Sequence, residues 1–478
     1  LEPILPGSTN EIRISWEYIL NEGSHNRTGQ VDSSSFFIAY WFPRLGVYDD
    51  MAGWNEYSYS GIGEFYNDFG DFDINITVPG GYVVWATGEL QNPEFTLSNK
   101  YYLRYKQAKQ SDQITKIIKT GDLKFKDFTA PDPEITWKFK ANNVTDFAFA
   151  LSDHYLWDAI PVEVDNSTGQ KVFLQTAYNK HSPDFPKVIH ISKRSIEYMS
   201  NNLPGIPFPY PSMTVFNGLD EMEYPMMVND ISLENIIETY SLTSHEIHHT
   251  YFPFYTGCNE RRYAWMDEGL TSYFEYNIIK DIIDSTLSSI FFMDDYNYIR
   301  GTDRDFPLFV TSEVVRDPEY YALSYPKAAI FFSIIEKEVG KQQFIKLLQG
   351  FIETWKGKHP TGHDFLNYIQ HQSEKDLSWI IQPWMFEYGY VDLAIEKVEV
   401  QDGKTKVHIT NNGNHPAPYM YDVFFEDGSL KVFKGSKIIR KGEKLTDVLD
   451  VDKKINMIRI FYELPVDVYP ENDVYIFN

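Results

Sequence analysis

Short runs of aromatic and β-branched residues, broken by Gly, Pro and Asn, fill the chain up to about Tyr178; examples lie at 36–41, 73–78, 82–86, 135–139 and 172–176. They predict an all-β segment over 1–178. A polar stretch at 179–187, with Pro183 and Pro186, predicts a linker. The apolar period then lengthens. A helix is expected over 188–201, followed by the proline-punctuated loop 204–211 and a strand at 213–216. Leu233, Ile236, Ile237 and Tyr240 repeat at i, i+3, i+4 and i+7, Ser232 stands where it can cap, and Pro253 makes helix unfavourable beyond Phe252. That predicts a helix of about five turns. Leu270, Tyr273, Phe274 and Ile278 mark a second helix. Further helices follow from Ala328, Phe331, Phe332 and Ile335, from Phe344, Leu347, Leu348, Phe351 and Ile352, and from Phe365, Tyr368 and Ile369. After 383–390 the period returns to two at 395–400, 405–409 and 421–425, with turns at Asp402-Gly403 and Asp427-Gly428. The pattern therefore predicts a multidomain α+β chain: an N-terminal β domain over 1–178, a mixed, largely helical domain over 179–388, and a small C-terminal β-sandwich over 389–478.

Charge and composition narrow the possible partners. The 478 residues carry 43 Lys+Arg against 68 Asp+Glu, a net charge of −25. Such a balance argues against nucleic acid and against anionic membrane surfaces, and is compatible with attraction of cationic peptides. The single cysteine, Cys258, excludes an intrachain disulfide and is read as structural. No apolar run approaches membrane-helix length, so no membrane insertion is expected. The chain begins at Leu1 without a methionine, and the expectation is a processed or trimmed soluble protein. Periplasmic, secreted and cytoplasmic locations all remain open.

The candidate chemistry lies in the first of the two long helices. In Ser244-His245-Glu246-Ile247-His248-His249-Thr250, His245 and His249 are four residues apart, so both imidazoles leave one helix face. This HExxH pattern is that of a metal-binding pair with Glu246 beside it as a general base. Catalytic zinc takes three protein ligands and keeps one open position. Trp265-Met266-Asp267-Glu268-Gly269-Leu270 places the carboxylate of Glu268 19 residues after His249. Glu268 is expected in the first turn of the second helix; a first-turn glutamate is also favoured by the helix dipole, and the two readings are compatible. One Zn2+ per chain is the implied cofactor. Glu275, seven residues after Glu268 on the same helical face, is a candidate acceptor for a ligand imidazole.

HExxH followed at this spacing by a tryptophan-containing segment ending in Asp-Glu-Gly, and then by 271–275, resembles the gluzincin metallopeptidases of the aminopeptidase N and leukotriene hydrolase type. Upstream, Asp220-Glu221-Met222-Glu223-Tyr224 stands where that family has GxMEN; downstream, Tyr325-Pro326-Lys327-Ala328-Ala329 resembles YxKGA. The resemblance implies that Glu223 binds the substrate's free α-amine, with Met222 and Glu221 in the same substrate-binding segment. It implies also that Tyr325 stabilises the oxyanion, and that the edge strand here holds an extended peptide by main-chain pairing. The chain departs from the family at Asp220, Glu221 and Tyr224, which changes the strand contacts and the charge around the amine site, and at Ala328, which replaces a glycine. Stretches 41–44 with 48–50, and 137–140 with 146–148, resemble the family's N-terminal saddle without its first strands. The central domain is then expected to be thermolysin-like. The large helical domain that ends many members is expected to be absent, which leaves the site open.

Three functions compete. The leading one is a zinc aminopeptidase acting on peptides with a free N-terminus. In it, His245, His249 and Glu268 hold the metal, Glu246 moves the proton, Tyr325 meets the oxyanion and Glu223 meets the amine. The second is a zinc endopeptidase, or another amide or epoxide hydrolase, with relaxed amine anchoring. The third is a binding or scaffold protein with a vestigial site, against which the intact ligands and base argue.

Overall fold

The computed structural model describes residues 5–56, 59, 63–283, 293–401, 404–462, 464 and 466–477. The expected turn at Asp402-Gly403 lies outside them. In the N-terminal part, five antiparallel strands pair in the order Gly23–His25, Thr28–Asp32, Ser35–Ile38, Phe149–Ser152, Val83–Ala86. A second sheet orders Gly70–Pro79, Glu134–Val144 and Glu89–Leu90. Their facing side chains enclose an aromatic core that includes Phe37, Trp85, Trp137 and Trp157.

This part is β-rich rather than all-β. A helix, Asn99–Ala108, buries Tyr101, Tyr105 and Ala108. Tyrosine is enriched in strands, so only the four-then-three spacing of these residues marks the helix.

A six-stranded sheet underlies the centre of the chain. We label its strands β1 (Thr115–Ile118), β2 (Leu156–Asp165), β3 (Gln170–Tyr178), β4 (Ser212–Asn217), β5 (Met222–Tyr224) and β6 (Met227–Asp230). The spatial order is β5-β6-β4-β3-β2-β1. β3 and β4 run parallel and are joined through helix α1, Phe185–Asn201. The residues expected to be a linker between domains are therefore the strand-to-helix connection of a β–α–β crossover within one sheet. The division of the chain at 178/179 and 388/389 is a proposal about sequence segments, and this sheet spans the first division. β4 is an interior strand, and β5 is the free edge. Strand alternation sends Met222 and Tyr224 into the N-terminal aromatic core and turns Glu223 the other way.

Helix α2 spans Ile236–His248. It starts later than the sequence predicts, because the side chain of Asn235, not Ser232, accepts the Ile237 amide at 3.0 Å. Ser232 instead donates to the buried Asp184, which also accepts from Leu233 N at 2.9 Å and Thr239 Oγ1 at 3.0 Å. Past α2 a π-turn, Thr250–Tyr255, breaks at Phe252 (φ −134°, ψ 113°). Helix α3, Glu260–Ile282, is capped by Asn259 and has a non-helical Tyr263. Glu268 consequently lies in the second turn after that break rather than in a first turn. A second π-turn, Leu323–Lys327, carries Tyr325 into helix α4, Ala328–Val339. Beyond the remaining helices, two sheets form the C-terminal part: Leu393–Gln401, Lys404–Asn411 and Lys444–Asp450 in one, and Leu430–Lys434, Met420–Phe425, Ile455–Phe461 and Val474–Ile476 in the other.

Two consequences are measurable. A Cβ on Gly269 would come within 2.4 Å of the Ala328 Cβ and 3.1 Å of Ser324 O, so α3 and α4 approach each other only because residue 269 has no side chain. Gly269→Ala is expected to cost about 1–3 kcal/mol in denaturant unfolding, and Ala328→Gly in the same chain should recover part of the loss. In the C-terminal part Asp473 is 6% exposed, and burial together with Asp467, Asp392 and Glu471 pushes its carboxyl up from 3.8 to about 8. The folded chain then holds a proton that the unfolded chain releases. Stability contributed by this group is present below about pH 4 and falls by about 1.4 kcal/mol per pH unit as pH rises towards about 8. Asp473→Asn should raise stability at pH 7 and flatten that slope in urea titrations run across the window.

Candidate metal centre and active site

The HExxH helix and α3 bring three donors together. Glu268 Oε2 lies 3.2 Å from His245 Nε2 and 3.4 Å from His249 Nε2, and the three ligand atoms fall within 4.8 Å of one another. Each imidazole is oriented from behind through its other nitrogen. His245 Nδ1 is 2.9 Å from Glu275 Oε2, and Ser241 donates to the other oxygen of Glu275. His249 Nδ1 is 2.7 Å from Asp267 Oδ1 and 3.1 Å from Phe252 O, a carbonyl turned back by the break in the π-turn. Glu275 was legible from its seven-residue step. Asp267 was missed: it precedes Glu268 on α3, and only its position next to a candidate ligand could have marked it.

The donor set suits zinc. Glu223, Glu246, Asp267, Glu268 and Glu275 are all buried around two imidazoles, an arrangement that a divalent cation stabilises. Both Nε2 atoms face Glu268, while both Nδ1 atoms face a carboxylate, as in carboxylate–histidine–metal triads. Among the described residues a second group, Glu223, His249 and Asp267, also gathers within 4.8 Å, but it shares the His249 ring and competes for the nitrogen that Asp267 orients.

The remaining predicted residues line the same cleft, which encloses about 680 Å3. Glu246 Oε2 is buried without a hydrogen-bond partner, and burial pushes its carboxyl up to about 7 against the opposing pull of His245 and His249. A buried carboxylate with a free oxygen beside the donor triangle can take a proton and return it. Glu223, on edge strand β5, is 5% exposed; its Oε1 has no hydrogen bond and lies 3.8 Å from His249 Nδ1. Burial holds it well above the ordinary carboxylate range, with His249 opposing and Glu246 and Glu268 reinforcing. The Tyr325 ring stacks on His245, centroids 5.7 Å apart and planes at 13°. Burial, then Glu268, keeps its phenol protonated and able to donate.

The residues that depart from the resemblance have identifiable surroundings. Asp220 accepts from Ser24 and, at 3.3 Å, from Asn229 Nδ2, so it ties the approach to β5 to the N-terminal sheet. A Cβ at Gly218 would sit 1.6 Å from Asn229 Oδ1, which fixes how close that approach runs. Glu221 is exposed on the cleft wall, and Met222 is packed in the aromatic core. Tyr224 is buried, its ring 5.4 Å from Phe37. The N-terminal part also contributes Arg27 and Glu64 to the cleft, an ion pair of 3.1 Å that the motifs did not reveal.

Residues 192–384 match the peptidase family M1 domain. The chain is 23% identical over 297 residues to probable aminopeptidase 2 of Sulfurisphaera tokodaii, covering 57% of this chain and 37% of that protein. It is 24% identical over 238 residues to the tricorn protease-interacting factor F2 of Thermoplasma volcanium, covering 44% and 29%. Among solved structures, aminopeptidase A of Legionella pneumophila in complex with aspartic acid superposes with a TM-score of 0.63 at 14% identity, covering 91% of this chain and 48% of that one. A mutant M1 zinc metallopeptidase from Deinococcus radiodurans gives 0.51 at 15% identity, covering 67% and 65%. The chain thus spans less than half the length of these curated relatives, and the superpositions show a shared fold: a β-rich N-terminal part, a helical centre on a mixed sheet, and C-terminal β-sheets. The match to the peptidase family M1 domain over residues 192–384 covers the segment that carries the four motifs.

Proposed function

We propose that the chain is a zinc-dependent aminopeptidase that removes the N-terminal residue from peptides. The observation that carries the reading is the juxtaposition of two things in one cleft: the His245–His249–Glu268 donor triangle, and the unpartnered Glu223 carboxylate 3.8 Å from His249. His245, His249 and Glu268 would hold the zinc, which would supply Lewis acidity to polarise a carbonyl and acidify water.

The chain's own groups then divide the work. Glu246, buried with an unpartnered oxygen in the cleft, takes a proton from the attacking water and passes it to the leaving amine. Tyr325, protonated and stacked on His245, donates a hydrogen bond to the oxyanion that develops on the scissile carbonyl. Glu223 binds the α-ammonium, and that contact restores its negative charge in a site where burial alone disfavours it. Anchoring the amine there lets only the first peptide bond reach the triangle. The free edge of β5 offers main-chain groups to an extended substrate. Asp267 and Glu275 fix the two imidazoles. No helix among the described residues is long and apolar enough to cross a membrane.

Aminoacyl arylamides and their N-acetylated counterparts, assayed with zinc-loaded protein, test this reading. Free-amine substrates should be cleaved, chelator should abolish the cleavage, and Glu246→Gln should lower kcat by at least about 10²-fold with zinc content unchanged. Cleavage of the blocked substrates at a comparable rate would instead indicate an endopeptidase. Asp267→Asn and Glu275→Gln are expected to weaken zinc by about 10- to 100-fold in competition with a chromogenic chelator; undiminished affinity would remove their orienting role.

A further inference from the structure

The cleft is acidic well beyond its metal centre. Its walls carry Glu64, Asp220, Glu221, Glu238 and Asp295, and Arg27 is the only Lys or Arg among its described lining residues. Arg27 is already paired with Glu64 at 3.1 Å, and Asp220 is held by Ser24 and Asn229. Among the described residues the exposed Glu221 and Glu238 engage no cation, and Glu238 accepts only from its neighbour Asn235, at 3.1 Å.

Their placement is specific. Glu221 immediately precedes β5 and Glu223 lies within it, and both line the cleft. Glu238 precedes His245 by seven residues on α2, on the same helix face and about 10 Å further along the axis at about 1.5 Å per residue. The buried, unpartnered oxygens of Glu223 and Glu246 mark where the reacting end of a substrate sits. A peptide anchored there and extended between β5 and α2 advances about 3.4 Å per residue. The cleft wall beyond that anchor carries Glu221, next to β5, and Glu238, on α2.

We propose that this cleft selects peptides carrying a basic side chain at the second or third position, recognised by the carboxylates of Glu221 and Glu238. The inference rests on the aminopeptidase reading for the direction in which the peptide runs. It does not concern the first residue, whose side chain lies on the other side of the scissile bond.

The test uses zinc-loaded protein and free-amine peptides that begin with alanine and place lysine, norleucine or glutamate at the second or third position. Lysine peptides should exceed norleucine peptides in kcat/KM by about fivefold, and glutamate peptides by more, with the preference shrinking as salt is added. In the double variant Glu221→Gln/Glu238→Gln the lysine-to-norleucine ratio should fall towards one, and in Glu221→Asp/Glu238→Asp it should persist. Because the readout is a ratio within each variant, a general loss of activity does not imitate it. Calorimetric binding of the same peptides to Glu246→Gln gives the same comparison without turnover. Equal kcat/KM and equal affinity for lysine and norleucine peptides, or a preference that survives the double Gln variant, would overturn the inference. Failure of every free-amine peptide to turn over would sink the aminopeptidase reading instead, and the calorimetric ratio would still decide this one.

Discussion

The centre of this chain depends on one carboxylate from α3 reaching the face of α2 that carries two imidazoles. Glu268 Oε2 comes within 3.2 Å of His245 and 3.4 Å of His249, although the ligands lie on different helices. Helices that carry ordinary side chains at their contact pack with axes about 8–10 Å apart, too coarse a constraint to aim a single oxygen. Here the aim comes from local devices. Non-helical residues at Phe252 and Tyr263 let the chain reverse between α2 and α3, and Gly269 allows the turn of α3 that bears Glu268 to lie directly against Ala328 and Ser324. The same break at Phe252 delivers a carbonyl to His249, so the reversal and the ring orientation share one backbone feature.

Charge is the second constraint, and it links structure to substrate. A buried carboxylate is costly unless a cation or hydrogen bonds meet it. Asp267 and Glu275 meet imidazole nitrogens, whereas Glu223 and Glu246 each keep an oxygen without a partner. In the proposed aminopeptidase those two are the groups that meet the substrate and its attacking water. The orienting carboxylates are thus satisfied within the protein, and the unsatisfied ones face the cleft. The departures at Asp220 and Glu221 extend the same sign of charge outward along the edge of β5.

Local patterns were legible in the sequence, and features that depend on competition between neighbours were not. The strands at 73–78 and 172–176, the HExxH helix and the seven-residue step to Glu275 all follow from period alone. The N-cap did not, because Ser232 and Asn235 are both good caps, and Asp184, distant in sequence, draws Ser232 away. The helix Asn99–Ala108 is rich in tyrosine, whose propensity points to strand, and its burial is set by the sheet it covers. The linker expected at 179–187 has linker composition, yet a crossover connection uses the same Pro, Ser and Asn residues; only the parallel pairing of β3 with β4 tells them apart. The Arg27–Glu64 pair joins segments with no shared motif, so nothing in either segment announces the other.

The position of Glu223 shows why the N-terminal part matters to the chemistry of the centre. β5 has only three residues and, among the described residues, one hydrogen-bonded neighbour, β6, so its ladder alone would hold it weakly. Its remaining anchorage comes from Met222 and Tyr224, which enter the aromatic core beside Phe37, and from Asp220, which accepts from Ser24 of the N-terminal sheet. Because side chains alternate along a strand, fixing Met222 and Tyr224 on that side fixes Glu223 on the other. A one-residue slip would bury Glu223 in the aromatic core and present Met222 or Tyr224 to the metal centre. The N-terminal core therefore sets the register that places the Glu223 carboxylate beside the metal donors in the cleft, and tyrosine at 224 is accommodated because its ring packs away from the site.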